Sequence, residues 1–270
     1  MYPSIFGISY IHAYGFFAGV AIVASIYVAT KLGIQSGLKE KYLTRLCIVG
    51  VVFGLIGGRL LYEIQNYEYF LKHPIDILLI SQGGLTIYGA IILAMISWII
   101  FIRIYKMPML KTLDVLFVSV PLGLGIGRMG CFCAGCCYGK AVLDSTGNVI
   151  TTAALAPWYA MKFPSDVGSI GPTDHYVYPA QLIEVIYNLL IFAGLMIFRK
   201  KFQKHDGQAT WLFLVLYGVC RSIAEIYRGD DIDRGFFISG YLSTSQAISI
   251  PIVLFALYML IFYKSPSKIK

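Results

Sequence analysis

Seven long apolar segments dominate this 270-residue sequence and restrict what it can fold into. Several of them reach or approach the roughly 20 apolar residues that cross a bilayer as an α-helix. Only 13% of the chain is charged, whereas a soluble domain carries about a quarter charged residues. The sequence therefore predicts an all-α polytopic membrane protein and excludes an ordinary soluble domain. The predicted spans are 9–31, 46–64, 84–105, 112–127, 180–198, 209–228 and 241–263.

The fourth predicted span differs from the others because its apolar core, LFVSVPLGLGIG, is short and contains Pro121 and three glycines. Proline removes a backbone donor from a helix and bends it. Non-helical backbone at membrane depth is tolerated where it is buried in protein or lines a wet cavity. We therefore expect a broken or re-entrant helix here, next to a candidate site.

The positions of lysine and arginine predict the orientation in the membrane. Most of the 22 basic residues lie after the first, third and fifth predicted spans or in the C-terminal tail. The positive-inside rule places these loops in the cytoplasm, with the N-terminus outside. Residues 140–179 then form an extracytoplasmic cap inserted in one membrane domain, 1–270. The net charge of +8 is spread over these short loops, so no nucleic-acid partner is predicted.

Arginines within the spans are the strongest physical clue to a site, because a charge in a span is costly and usually functional. Arg59, Arg128 and Arg221 lie inside or against apolar spans. Arg221 and Glu225 are four residues apart, so they share a helix face and can pair. A guanidinium fork suits a phosphate, and the phosphate available in a bilayer is a lipid headgroup. The alternative is a buried ion pair that only joins helices.

The segment GRMGCFCAGCCYG, residues 127–139, is a second candidate site. Its four glycines allow close approach of backbone to a ligand. Cys133 and Cys136 form a CxxC pair, which is typical of a dithiol redox site or half a metal site. Cys131 and Cys137 are further candidate reactive thiols. A zinc site would need more ligands, so we predict no metal, and no nucleotide-binding motif predicts a cofactor.

Seven segments in order resemble the prolipoprotein diacylglyceryl transferase family, a group of seven-helix bacterial membrane enzymes. The resemblance implies transfer of a diacylglyceryl group from phosphatidylglycerol to the lipobox cysteine of a secreted precursor, with release of glycerol phosphate. It also implies the bacterial cytoplasmic membrane and a site facing the outer leaflet. The segments are HAYGFFAGV at 12–20, GGRLLY at 57–62, QGGLTIYGA at 82–90, GLGIGRMGCF at 123–132, YPAQLIE at 178–184, LYGVCRSIAEIYR at 216–228 and TSQAISIP at 244–251.

Residue roles follow from the resemblance by position. Arg128 and Arg221 look like the family's phosphate-handling arginines, and Glu225 looks like the residue that holds Arg221. The matching motifs also supply candidate substrate-binding residues, among them a pocket tyrosine and a loop glycine. These candidates are Tyr14, Arg59, Gly139, Gln181, Glu184 and Gln246.

The acceptor half of the site departs from the family's pattern. Cys131, Ala134 and Cys136 replace two asparagines and a glutamate, and Tyr178 replaces a histidine. Tyr88 stands where the family has the histidine often proposed as the base, so it is our candidate catalytic residue there. A tyrosine is a poor base at neutral pH unless a nearby cation stabilises its phenolate. The group that activates the acceptor thiol is therefore left open between Tyr88 and the cysteines.

Three alternatives to lipoprotein modification remain from the sequence. The protein could use phosphatidylglycerol or another anionic phospholipid with a different acceptor. It could bind or transport lipid without catalysis, because a fold does not guarantee a function. It could also be a membrane thiol oxidoreductase that uses the Cys131–Cys137 cluster, since disulfides persist outside the cytoplasm. If the protein modifies lipoproteins, its predicted protein partner is the signal peptide of a prolipoprotein.

Overall fold

The computed structural model is predominantly helical and describes residues 4–5, 8–78, 84–164, 171–229, 236–238 and 242–263. Parts of four predictions lie outside these residues: 82–83 of the QGGLTIYGA motif, 165–170 of the predicted cap, residue 241 of the seventh predicted span, and the basic tail after 263. The helices are α1 (Ala13–Gln35), α2 (Glu40–Gln65), α3 (Tyr67–Lys72), α4 (Ile87–Ile104), α5 (Met109–Ala134), α6 (Ala180–Lys201), α7 (Gln208–Tyr227) and α8 (Thr244–Phe262).

Seven of these helices, all except α3, are long and apolar enough to cross a membrane. The prediction of an all-α polytopic membrane protein is confirmed. Large apolar side chains remain exposed along the spans, such as Val23 at 68% and Leu254 at 62%. Apolar surface of this extent is unusual for a water-soluble monomer and fits contact with lipid.

The short strands lie at the ends of helices. β1 (Ser4–Ile5) pairs antiparallel with β2 (Ile8–His12), and β3 (Phe236–Ile238) pairs with β4 (Leu242–Ser243). The first span therefore begins at Ala13, later than the predicted residue 9, because the residues before it are extended. Hydropathy alone does not separate an apolar strand from the start of an apolar helix.

The fourth span is one continuous helix, α5, so the expectation of a broken or re-entrant segment is wrong. Pro121 lies inside it, and a single proline removes only one backbone donor. Packing stabilises the helix: the Phe117 ring lies 5.4 Å from the Phe213 ring of α7. The most apolar stretch of α5 is 44% buried, a larger share than in the other six spans.

The end of α5 also differs from the prediction. The helix continues beyond residue 127 to Ala134. Arg128, Cys131 and Cys133 are therefore helical, although they lie beyond the predicted end of the span. Helical periodicity, not loop geometry, determines which of these side chains share a face.

Contacts divide the chain into two compact units. The first contains Met1–Ser25 and Phe117–Lys270, and the second contains Ile26–Leu116. In the first unit, α6 packs against α7 and α7 packs against α8. In the second, α2 packs against α4, with the backbones of Gly57 and Gly89 in close approach. Small residues at a crossing allow membrane helices to pack closely.

The segment between α5 and α6 contains isolated β-bridges in its described residues. Ala141 and Met161 both pair with Val177, and Leu143 pairs with Val149. Val177 and Phe163 are almost completely buried. This part of 140–179 therefore has a small core of its own, and its placement outside the cell stays a prediction.

Candidate functional site

Glu184 is a buried carboxylate shared by two arginines. It lies in the second turn of α6, and its side chain is 2% exposed. Glu184 Oε2 pairs with Nε of Arg128 on α5, and Oε1 lies 3.4 Å from Nη1 of Arg228, just after α7. This ion triad, defined as Arg128, Glu184 and Arg228, joins α5, α6 and the residue that follows α7. The sequence offered Glu184 only as a substrate-binding residue and missed its role as a bridge.

Arg221 and Glu225 form the predicted ion pair, through Nη1 and Oε2, one turn apart on α7. Their side chains are 12% and 6% exposed. Because both are largely removed from water, the carboxylate fixes the position of the guanidinium within the helix packing. A guanidinium has five N–H donors, more than one carboxylate oxygen uses.

Two tyrosines lie within electrostatic range of both Arg128 and Arg221. Tyr187 on α6 and Tyr217 on α7 each interact electrostatically with both arginines. The tyrosine ring centroids are 6.3 Å apart. The hydroxyl of Tyr187 is buried and has no hydrogen-bond partner among the described residues. A buried donor of this kind is available to a ligand.

Sequence reasoning missed Tyr187 and Tyr217, although their spacing carried a signal. Tyr217 precedes Arg221 by four residues, and Tyr187 follows Glu184 by three. Those intervals place each tyrosine on the helix face of a charged residue that had been singled out. The general enrichment of tyrosine at membrane interfaces obscured this signal.

Three thiols come together where α5 ends. The Sγ atoms of Cys131, Cys136 and Cys137, which we call the thiol trio, all lie within 4.8 Å of one another. Cys133 is not part of the trio, so the predicted CxxC pair is not the grouping that the fold assembles. All six cysteines of the chain are free thiols.

The trio adjoins the ion triad. Arg128 interacts electrostatically with Cys131 and Cys137, and Arg228 interacts with Cys137. Hydrogen bonds from Cys131 and Cys136, aided by these two arginines, lower the pKa of Cys137. The ionised form of one thiol is thus favoured beside the guanidinium groups.

Tyr14 and Gln181 border the thiol trio. Tyr14, in the first turn of α1, is half exposed and interacts with all three thiols and with Arg128. Gln181 donates from Nε2 to the carbonyl oxygen of Cys136 at 2.9 Å, which attaches the end of α5 to α6. Its buried Oε1 has no hydrogen-bond partner within the described ranges.

Gly139 has a structural explanation. Its N–H donates to the carbonyl oxygen of Tyr178 at 3.1 Å, and it forms a β-bridge with Arg228. A Cβ at this position would collide with the Tyr178 carbonyl and lie 2.7 Å from the Tyr178 Cβ. Only glycine permits this approach of backbones, which positions Arg228 for the ion triad.

Tyr178 itself is a poor replacement for a basic histidine. Burial and the neighbouring Tyr159 and Tyr227 raise the pKa of its phenol. The Tyr178 and Tyr159 rings are stacked with centroids 5.8 Å apart. Its neutral form is therefore the one present at physiological pH.

Gln246 serves as a helix cap in the structure. Its Oε1 accepts from the Ser243 N–H, and its own N–H donates to Ser243 Oγ, both at 3.2 Å. Its Nε2 donates to the Ser222 carbonyl oxygen of α7 at 3.3 Å. These bonds form a capping box that joins α8 to α7, and a contact with substrate stays a prediction.

Arg59 and Tyr88 belong to the second unit. Arg59 is buried, and its Nε donates to Glu63 Oε1 at 2.9 Å. The Arg59 guanidinium also bonds to the Asp76 carbonyl and lies 5.4 Å from the Phe70 ring centroid. Tyr88 lies in the first turn of α4 and is partly exposed. Its predicted approach to Arg128 or Arg221 stays a prediction.

Comparison with known proteins identifies the family. A sequence model described as prolipoprotein diacylglyceryl transferase matches residues 3–262. The chain belongs to the prolipoprotein diacylglyceryl transferase family. This membership confirms the resemblance seen in the seven motifs and identifies the protein as a member of a transferase family.

Three named relatives show how far the similarity extends. The phosphatidylglycerol–prolipoprotein diacylglyceryl transferase of Clostridium tetani (strain Massachusetts / E88) is 32% identical over 255 residues, 94% of each chain. Enzyme 2 of the same name from Clostridium perfringens (strain 13 / Type A) is 32% identical, covering 93% of this chain and 90% of that one. The Acinetobacter baumannii (strain SDF) enzyme of this name is 28% identical, covering 93% and 87%. The similarity thus includes all seven spans.

Proposed function

We propose that this protein transfers the diacylglyceryl group of phosphatidylglycerol to the thiol of a prolipoprotein lipobox cysteine and releases glycerol phosphate. The observation that carries the proposal is the arrangement of Arg128 and Arg221 around Tyr187 and Tyr217. The chain is also similar, over almost its whole length, to relatives that are named for these two substrates.

The reaction is a displacement at the glyceryl carbon that bears the phosphoester. The acceptor sulfur forms a C–S bond, the C–O bond to phosphate breaks, and glycerol phosphate leaves with the electron pair. The thiol proton is taken up by the released phosphate or by water. Negative charge grows on the phosphate during this step, so fixed cations nearby stabilise the transition state more than the bound lipid.

The ion triad suits this task because its two guanidinium groups are held in place before substrate binds. Glu184 pairs with Arg128 through Oε2 and with Arg228 through Oε1. Arg221 is held in the same way by Glu225. The Tyr187 hydroxyl, for which the described part of the chain offers no hydrogen-bond partner, provides a neutral donor in a side chain that interacts electrostatically with Arg128 and Arg221. Preorganised donors of this kind need little rearrangement during reaction.

The ends of the helices support a site on the extracytoplasmic side. Arg128 is near the C-terminal end of α5, Arg228 follows α7, and Glu184 is near the N-terminal end of α6. The opposite end of α6 carries Arg199, Lys200 and Lys201. Basic residues at a span's end favour the cytoplasm. This supports our proposal that the ion triad faces the outer leaflet of the bacterial cytoplasmic membrane.

The proposal is tested with phosphatidylglycerol labelled in its headgroup glycerol, in vesicles with the purified protein. Labelled glycerol phosphate should appear when a lipobox peptide is added, and a matched peptide with serine for the cysteine should release none. Release that is independent of the peptide would contradict the thiol acceptor. Lipid binding without release under any condition would favour the non-catalytic alternative and overturn the proposal.

A further inference from the structure

The way α5 ends brings two of the three thiols together. The N–H groups of Gly135 and Cys136 donate to the Cys131 carbonyl oxygen at 2.9 and 3.1 Å. Gly135 has φ of +79°, the left-handed conformation of a Schellman termination. This termination places the side chains of the residues at its two ends in contact, usually as a hydrophobic pair. Here the pair is Cys131 and Cys136.

The third thiol is positioned by an unfavourable backbone conformation. Cys137 has φ of +59°, which is uncommon for a residue other than glycine and is concentrated at functional sites. Gln181 of α6 holds the preceding carbonyl, that of Cys136, at 2.9 Å. These contacts hold the backbone at the end of α5 in the conformation that brings the three Sγ atoms within 4.8 Å of one another.

We propose that the thiol trio of Cys131, Cys136 and Cys137 binds a thiophilic divalent cation, zinc in particular, with its fourth coordination position open to the acceptor thiol. The acceptor part of this inference rests on the proposed function. Three sulfurs at about 2.3 Å from a tetrahedral zinc ion lie about 3.8 Å apart. The Sγ atoms are already within 4.8 Å of one another, so small side-chain movements complete the site.

Charge favours a divalent cation over a monovalent one. The guanidinium groups of Arg128 and Arg228 lie beside the trio and interact electrostatically with its thiols. A divalent ion with three thiolates has one net negative charge, which these cations stabilise. A monovalent ion would leave an excess negative charge at a largely buried position, which is unfavourable.

An open zinc position explains how the acceptor could react without a histidine base. Zinc sites with three protein ligands bind a substrate or water at the fourth position, and a coordinating thiol is deprotonated. The acceptor's S–H proton would pass to water on binding, and its metal-bound sulfur would then form the C–S bond. Arg128 interacts with the trio, so this sulfur would lie beside the arginine that we assign to the lipid phosphate.

Metal binding is tested first, without reference to activity. Reduced wild-type protein incubated with zinc and desalted should retain about one zinc per chain by elemental mass spectrometry. Cys131→Ser and Cys137→Ser should each weaken binding more than about 100-fold, because losing a second-shell partner alone costs 10- to 100-fold. Cys220→Ser, on α7, is the matched control and should bind as wild type. Absence of retained zinc, or a Cys131–Cys136 disulfide in freshly isolated protein, would overturn the site.

The open position is tested with the cobalt-substituted protein. A lipobox peptide should change the visible cobalt spectrum, and the peptide with serine for cysteine should not. No difference between the peptides would overturn acceptor coordination. Full transfer by metal-free protein would also overturn it while leaving the proposed transferase function intact. A cobalt shift with no transfer by the zinc-loaded protein would instead support coordination and contradict the proposed function.

Discussion

Replacing Glu184 by glutamine removes the negative charge that Arg128 and Arg228 share but preserves the shape of the side chain. Glu184 is 2% exposed, and the side chains of Arg128 and Arg228 are 21% and 6% exposed. The substitution removes a negative charge that both guanidinium groups contact, at a site with little water. Removing one partner of a buried ion pair costs about 3–5 kcal/mol. For a chain of this size the melting temperature should fall by roughly 6–20 °C.

The assay is thermal unfolding of the purified protein in one detergent, followed by intrinsic fluorescence. Glu40→Gln is the matched control, because Glu40 is exposed at the start of α2 and should contribute no more than about 1 kcal/mol. Adding Arg228→Gln to Glu184→Gln removes one of the two cations that lose the Glu184 carboxylate, so the double variant should recover part of the loss. Equal melting temperatures for Glu184→Gln and wild type, or simply additive losses in the double variant, would refute the bridge.

Three further predictions concern the fold, the thiol and the topology. Gly139→Ala should lower the free energy of unfolding by about 1–3 kcal/mol through steric overlap, whereas Gly194→Ala, which has open space, should be neutral or stabilising in the same denaturation assay. Tyr88→Phe should keep transfer within about tenfold of wild type if a metal-bound sulfur is the nucleophile, and complete loss of transfer with intact lipid binding would assign thiol activation to Tyr88. An epitope inserted within 140–164 should be accessible to antibody on intact spheroplasts, and one beside Lys39 only after permeabilisation; the reverse pattern would invert the topology.

The spans were predictable because bilayer thickness imposes a length and a composition on each helix. The continuity of the helix through Pro121 was not predictable, because the residues that pack against this segment are distant in the sequence. Helix α5 is stabilised by contacts with distant segments, such as that between Phe117 and Phe213. Local composition carries no information about such contacts, so the tertiary structure overrode the weak helix propensity of this segment.

Local pairs in the site were predictable and distant ones were not. The Arg221–Glu225 pair follows from a spacing of four within one helix. The bond between Arg228 and Glu184 spans 44 residues, and no sequence periodicity relates them. The grouping of the thiols was not predictable either. The CxxC spacing favours a pair of Cys133 and Cys136, whereas the structure brings Cys131 together with Cys136 and Cys137 at the end of α5.

The central claim is that fixed arginines drive diacylglyceryl transfer to a thiol, and the mass of the acceptor peptide tests it most directly. After incubation with the protein in phosphatidylglycerol vesicles, the lipobox peptide should gain one diacylglyceryl group on its cysteine sulfur. Arg128→Lys and Arg221→Lys should each slow this gain by about 10²- to 10³-fold, because a compact ammonium does not replace the planar fork. An unmodified peptide beside folded, lipid-bound protein, or wild-type rates in both variants, would contradict the account.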